Sequence, residues 1–190
     1  VRAGLMTGVE WIFVILSMVW ISEFIFFRNR GVGEEDPHEK RTFLLILLAL
    51  LGTIALSVSL QEMKQLEASA YLIQVPGAVL FGAGVFLRLW GIIHLKNQFT
   101  RNVTVRDGDE IVSTGPYRRL RHPLYTGLLM ISLGMSLFFM SIVGAVFGAL
   151  IVSWTLMKRI RYEEDLLIEK FGLDYKQWMS KRARLFPFIY

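Results

Sequence analysis

Apolar residues fall along this chain in long runs, separated by polar and charged segments. A soluble domain scatters its apolar positions with the period of its elements, whereas runs of this length read as transmembrane helices. The pattern predicts five of them, over residues 5–27, 42–60, 70–95, 124–141 and 144–157. Glu10 and Glu23 interrupt the first run near its two ends, Thr42 is placed to cap the second, and the third contains Pro76 and an intramembrane Arg88. Between them lie a charged loop broken by Gly31-Val32-Gly33, a short polar link over 61–69, and a long polar segment, 96–121, with a turn at Asp107-Gly108-Asp109. The tail, 158–190, begins as a charged helix and closes with Leu185-Phe186-Pro187-Phe188. No internal repeat divides the chain, so the expectation is one all-α integral membrane domain over 1–190 with five transmembrane helices.

The last two runs form one uncharged stretch of 35 residues from Pro123 to Met157. As a single helix it would reach roughly 52 Å, against a bilayer core of about 30 Å. It must fold back as a hairpin. That fold brings His122 and Tyr125, at its start, beside Arg159 and Glu163, just past its end.

Charge fixes an orientation for this topology. With five crossings, segments 28–41, 96–121 and 158–190 share one side and carry eighteen of the 21 Lys and Arg residues. Arg2 and Lys64 fall opposite, and Arg88 lies within a span. The positive-inside rule makes the rich side cytoplasmic. Hydrophobic residues make up 54% of the chain, above the soluble norm of about 45–50%. The first run is too long for a signal-peptide core and has no small-residue cleavage site. Cysteine is absent, which excludes disulfides, thiolate catalysis and cysteine-ligated zinc, and three histidines make a histidine-rich metal site improbable.

The cytoplasmic side also gathers the candidate chemistry. No glycine-rich nucleotide loop stands between a strand and a helix, so a cofactor cannot be held by a doubly wound sheet. Gly82-Ala83-Gly84 lies in an apolar helix, where small residues serve close packing. His122, before Pro123, sits at the mouth of a span with proline at the first helical position. Alone it would read as an interfacial histidine, and Tyr117 and Tyr125 as interfacial aromatics. Tyr125 lies three residues from His122, so both can face one side. Arg159 and Glu163 are four apart on one helix, which alone would be a solvated pair contributing about 0.3–0.5 kcal/mol. Arg118, Arg119 and Arg121 read most simply as topology determinants and lipid-headgroup contacts. Arg88 is expected to face the bundle interior or a polar cavity.

An ordered set of residues adds to this. Gly115-x-Tyr117, Arg121-His122-Pro123-x-Tyr125-x-Gly127, Arg159, Glu163-Glu164, Phe171-Gly172-x-x-Tyr175 and Pro187 resemble the isoprenylcysteine carboxyl methyltransferases, and more loosely the phospholipid N-methyltransferases. The resemblance covers roughly 88–190, which makes that part the catalytic half and 1–87 the N-terminal spans. Five spans stand here against eight in the animal enzymes, and Leu124 stands where those commonly have serine. The resemblance implies S-adenosylmethionine as cofactor, with S-adenosylhomocysteine as product. It implies that Asp109, Glu110, Ile111 and Val112, with Thr104 a further candidate, contact the adenosyl part. Tyr117, His122, Pro123, Leu124, Tyr125 and Glu163 would complete the cofactor site, and Arg159 would meet the acceptor.

These residue types suit the implied reaction. A C-terminal carboxylate, with a pKa of about 3.3–3.7, is ionised at neutral pH, so its methylation needs alignment and no general base. An arginine fork can hold it at two points. The implied partners are the bilayer and a prenylated or otherwise lipidic acceptor entering from it, with no nucleic acid and no metal. Three other readings compete: methylation of a phospholipid amine, an NADPH-dependent sterol-type reductase, and a membrane scaffold without activity.

Overall fold

The computed structural model describes residues 6–26, 37–61, 70–96 and 108–186. Among them the chain forms five α-helices: α1 (Gly8–Phe26), α2 (Pro37–Leu60), α3 (Ala70–Leu95), α4 (Pro123–Phe138) and α5 (Ile142–Ser180). Each contains one of the apolar runs. Proline at the first helical position sets the start of α2 and of α4, since its φ is already helical and its missing N–H has no intrahelical partner to lose. The start of α2 at Pro37 corrects one expectation. Thr42 lies inside the helix, buried, five residues past its first position.

The hairpin forms as its length requires. Helix α4 ends at Phe138, and Ser141 caps α5 by accepting from the Gly144 N–H at 2.9 Å. Contacts between helices then fix their directions. Glu23, Arg88, Leu124 and Arg159 meet Thr42 and Tyr125 at one end of the bundle. Phe13 and Phe138 stack at 3.8 Å, and Ser57 donates to Ser136, at the other. So α1, α3 and α5 run one way and α2 and α4 the other.

Helix α4 is the centre of the bundle. One face packs on α3 through glycines: a Cβ added to Gly77 would lie 2.5 Å from the Phe138 nitrogen, and one added to Gly84 would lie 2.6 Å from the Gly127 oxygen. These neighbours are backbone and cannot move aside, so only glycine permits this approach. Gly82 faces Leu16 of α1 on the opposite side, which makes Gly82-Ala83-Gly84 a packing element, as its apolar setting suggests. Phe13, Phe81, Val85, Ile131 and Phe138 fill the α1–α3–α4 core. The other face of α4 joins α2 and α5 through Ile46, Leu50, Leu128, Leu129, Val152, Leu156 and Ile160.

Three of the helices, Arg41–Leu60, Ala70–Leu95 and Ile142–Ser180, contain a stretch long and apolar enough to cross a membrane, and Pro123–Phe138 is a shorter apolar helix. Large apolar side chains such as Met18, Ile25, Leu72, Phe86 and Leu150 stand exposed around the outside. Water would penalise such a sheath at about 25 cal/mol per Å², whereas lipid accepts it.

Past the apolar part, α5 continues as a charged helix to a bend at Gly172, whose φ of 56° and ψ of −123° belong to glycine. The bend turns the chain back toward the bundle. Residues 181–186 then lie alongside 119–122: the Ala183 N–H donates to the Arg119 carbonyl (3.0 Å), and the Arg121 N–H donates to the Ala183 carbonyl (2.8 Å). The tail is thereby clipped to the segment that leads into α4.

Candidate active site

The first turn of α4 and the charged part of α5 face each other, and four predicted residues meet there. Tyr125 donates from its hydroxyl to Glu163 Oε2 at 2.8 Å, and that hydroxyl accepts from Arg159 Nε at 3.0 Å. Arg159 and Glu163, one turn apart on α5, are therefore joined through a phenol from α4 and are not a solvated surface pair. Arg159 is buried, and its Nη1 makes a long hydrogen bond (3.5 Å) to Thr42 Oγ1 of α2. His122 lies with its ring 5.7 Å from that of Tyr125, and its Nδ1 stands 3.8 Å from Glu163 Oε2. Pro123 is buried beneath them, and Leu124 is half-buried with its side chain against Gly91.

Tyr117 reaches the same region from the short 3-10 helix Gly115–Arg118. Gly115 opens that turn with φ 56°, and His94 lies so close that an added Cβ would fall 2.5 Å from its ring. Both constraints require glycine. Burial raises the Tyr117 phenol well above its ordinary pKa, and the nearby Glu163 charge adds to this, so it stays a neutral donor. Of the predicted strip, Asp109, Ile111 and Val112 are half-buried and Glu110 is exposed. The strip leads into Ser113, whose hydroxyl accepts from Trp178 Nε1 of the tail at 2.8 Å. Thr104 lies outside the described residues, as does Pro187.

Glu164 carries a role that its sequence position did not reveal. It is buried, and it accepts from Arg121 Nη1 (3.0 Å), His122 Nε2 (3.2 Å) and Arg184 Nη2 (2.8 Å). Burial alone would raise its carboxyl. The hydrogen bonds and charges of His122 and Arg184 outweigh burial and hold its pKa down at about 2. This corrects the reading of Arg121 as a headgroup contact, since it bridges Glu164 and the Arg182 carbonyl (2.9 Å). Arg118 and Arg119 remain exposed. The missed signal was the doublet itself. Neighbouring helical residues point about 100° apart, so Glu163 and Glu164 need different partners.

The two acids thus divide their work. Glu164 holds the tail to His122, while Glu163 keeps 29% of its side chain exposed and has only Oε2 engaged among the described residues. Beside it stand Tyr125 and His122, and beyond the Tyr125 hydroxyl stands Arg159. The result is an available carboxylate oxygen and a guanidinium on opposite sides of one phenol. Such a site can hold a cationic ligand and an anionic one next to each other. Among the described residues, no group of three or more His, Asp or Glu side chains could hold a metal ion.

Comparison with known proteins gives a consistent set of relatives. The model of the isoprenylcysteine carboxyl methyltransferase (ICMT) family matches residues 77–169. A probable protein-S-isoprenylcysteine O-methyltransferase of Oryza sativa subsp. indica is 26% identical over 152 residues, covering 79% of this chain and 78% of the relative. Protein-S-isoprenylcysteine O-methyltransferase B of Arabidopsis thaliana is 29% identical, covering 79% of this chain and 75% of the relative. The Saccharomyces cerevisiae enzyme is 30% identical over 60% of this chain and 49% of its own. Among solved structures, a eukaryotic intramembrane Ras methyltransferase, ICMT, shares the fold with a TM-score of 0.68 at 18% identity, over 96% of this chain and 66% of that one.

Proposed function

We propose that this chain is a membrane methyltransferase of the family whose model matches residues 77–169, the isoprenylcysteine carboxyl methyltransferases, and that it methylates the carboxylate of a lipidic acceptor, such as a C-terminal prenylcysteine, at the cluster of Tyr117, His122, Tyr125, Arg159 and Glu163. The observation that carries this reading is the Arg159–Tyr125–Glu163 chain of hydrogen bonds. It sets a guanidinium and a carboxylate on either side of one phenol hydroxyl, an arrangement suited to a reaction between an anion and a cationic methyl donor.

S-adenosylmethionine suits these residues and, when bound, supplies an electrophilic sulfonium methyl. Glu163, whose Oε1 has no hydrogen bond among the described residues, offers a partner for the donor's positive charge, and Tyr117, His122, Pro123, Leu124 and Tyr125 form the wall around it. The strip Asp109, Glu110, Ile111 and Val112 is assigned to the adenosyl part, and Thr104 remains a candidate for the same. Arg159 holds the acceptor carboxylate. An anion at a bilayer boundary needs a partner there, because an unpaired buried carboxylate is very costly. With the carboxylate held there, Arg159 and Tyr125 would aim one of its oxygens at the methyl group that the donor would supply, the thioether would be the leaving group, and an acceptor already ionised would need no base from the protein. Alignment of this kind supplies up to about 7–11 kcal/mol in favourable cases.

The alternating directions of α1–α5 support five crossings, with α1 and α4 added to the three helices long and apolar enough to cross a membrane. The charge asymmetry puts the site and tail on the cytoplasmic side, with 88–190 as the catalytic half of one domain 1–190. The acceptor's apolar chain reaches Arg159 from lipid, and the polar cofactor enters from water. A single cysteine at exposed Ser180 should react with a membrane-impermeant maleimide only after cytoplasmic access is opened. Labelling from the outside would refute the orientation.

The reaction itself is tested by incubating purified protein with methyl-labelled S-adenosylmethionine and a prenylcysteine analogue. An alkali-labile methyl ester, released as methanol, is the expected product. A base-stable methyl group on a phospholipid amine would replace this reading with N-methylation.

A further inference from the structure

Arg88 lies within α3 and Glu23 in the last turn of α1, and neither has a part in the chemistry derived above. Glu23 is buried, with 4% of its side chain exposed against 12% for Arg88. Arg88 commits all three guanidinium nitrogens. Nε donates to Glu23 Oε2 at 2.9 Å, Nη2 donates to Glu23 Oε1, and Nη1 donates to the backbone carbonyl of Leu124 at 3.1 Å. Two prongs on one carboxylate are arginine's most directional geometry. They leave the third prong fixed, and it points at the second residue of α4.

The surroundings are shaped for this contact. A Cβ on Gly127 would lie 2.6 Å from Arg88 Cγ, so the glycine that closes the His122-Pro123-x-Tyr125-x-Gly127 pattern makes room for the arginine. One turn further along α3, a Cβ on Gly91 would meet Leu124 Cδ2 at 2.7 Å and the Tyr117 hydroxyl at 3.5 Å. Stability is a weak reason for such a pair, because well-packed apolar residues commonly replace a buried ion pair without loss. An ionisable pair within a span more often marks function.

We propose that Glu23 and Arg88 form a positioning pair: Glu23 orients Arg88, and Arg88 fixes the Leu124 carbonyl and with it the turn from His122 to Tyr125 that binds the cofactor, a role that rests on the cofactor site assigned above. Helix α1, which lies outside the family match at 77–169, thereby takes part in the site.

The test compares wild type with Arg88→Lys and with the double variant Glu23→Leu/Arg88→Met, all in detergent. Lysine keeps the charge but cannot hold a carboxylate at two points and a carbonyl at once. The double variant removes both charges and retains side-chain volume. Melting temperature, the Kd of S-adenosylhomocysteine, KM and kcat, and amide exchange in the peptide over 123–128 are measured together. Positioning predicts that the double variant melts like wild type, binds at least tenfold more weakly and exchanges faster over 123–128. KM for S-adenosylmethionine should rise more than kcat falls. Arg88→Lys should show the same pattern. Wild-type Kd and exchange in either folded variant would overturn the proposal, and Arg88→Lys decides alone if the double variant does not fold. Wild-type protein that binds no S-adenosylhomocysteine contradicts the methyltransferase reading instead, and the exchange measurement then decides the positioning claim by itself.

Discussion

Arg159→Lys should cut methylation of a prenylcysteine analogue at least tenfold, about 1.4 kcal/mol in the barrier, while S-adenosylhomocysteine affinity stays within about threefold, or roughly 0.7 kcal/mol. The guanidinium is buried, with Nε on the Tyr125 hydroxyl and Nη1 toward Thr42. Lysine retains the positive charge but has no planar fork, so it cannot bond Tyr125 and align a carboxylate together. Tyr125 keeps its bond to Glu163, which holds the cofactor wall in place and separates the two readouts. Arg159→Ala should lose turnover at least as severely. Normal turnover in the lysine variant would mean that Arg159 supplies charge alone, and collapse of cofactor binding would mean that its ligand is misassigned.

The second large effect belongs to Glu164→Gln, which should destabilise the protein by roughly 3 kcal/mol, the lower end for breaking a buried charge pair. Arg121 and Arg184 are 12% and 15% exposed, so water relieves part of the penalty. With the amide in place, Arg121, His122 and Arg184 lose their shared anion, and the tail segment over 181–186 loosens. Trypsin should then cut after Arg182 and Arg184 faster than in wild type. The pH dependence has a definite sign. The folded pKa of Glu164 lies at about 2, below its ordinary value of 4.5, so its contribution is fully present above about 4.5 and is lost as pH falls toward 2. Melting temperatures of wild type and variant should therefore differ by a constant amount above that value and converge in stronger acid. A variant that melts and resists trypsin like wild type would remove Glu164 from the account.

Much of this architecture was legible because the bilayer imposes strong rules. The uncharged run from Pro123 to Met157 is too long for one crossing, so its hairpin followed from length alone, and it brought Tyr125 to Arg159 and Glu163. His122-Pro123 marked the start of α4 through the restriction proline places on its neighbour. Other features depend on how helices rotate against each other, which no local rule fixes. Thr42 looked like a cap because it borders the apolar run, yet Pro37 starts the helix earlier and turns Thr42 toward Arg159. Arg88 was expected to face the interior, but its partner lies 65 residues away on α1. Arg121 resembled its exposed neighbours Arg118 and Arg119 until the returning tail gave it Glu164. Gly172 and Tyr175 stood in the sequence as a pattern without a reason; the chain bends at the first, and the second, on the helical stretch that follows, is buried and stacks on Trp178 one turn further on.

The central claim is that the exposed oxygen of Glu163, beside Tyr125 and His122, belongs to the site of a methyl-donor cofactor. Calorimetric titration of S-adenosylhomocysteine into wild type and Glu163→Gln, with NADPH titrated in parallel, tests it most directly. Wild type should bind S-adenosylhomocysteine and not NADPH, and the variant should bind at least fivefold more weakly, a loss of about 1 kcal/mol or more for one charge-assisted hydrogen bond. An unchanged dissociation constant in Glu163→Gln, or binding of NADPH in place of S-adenosylhomocysteine, would contradict it.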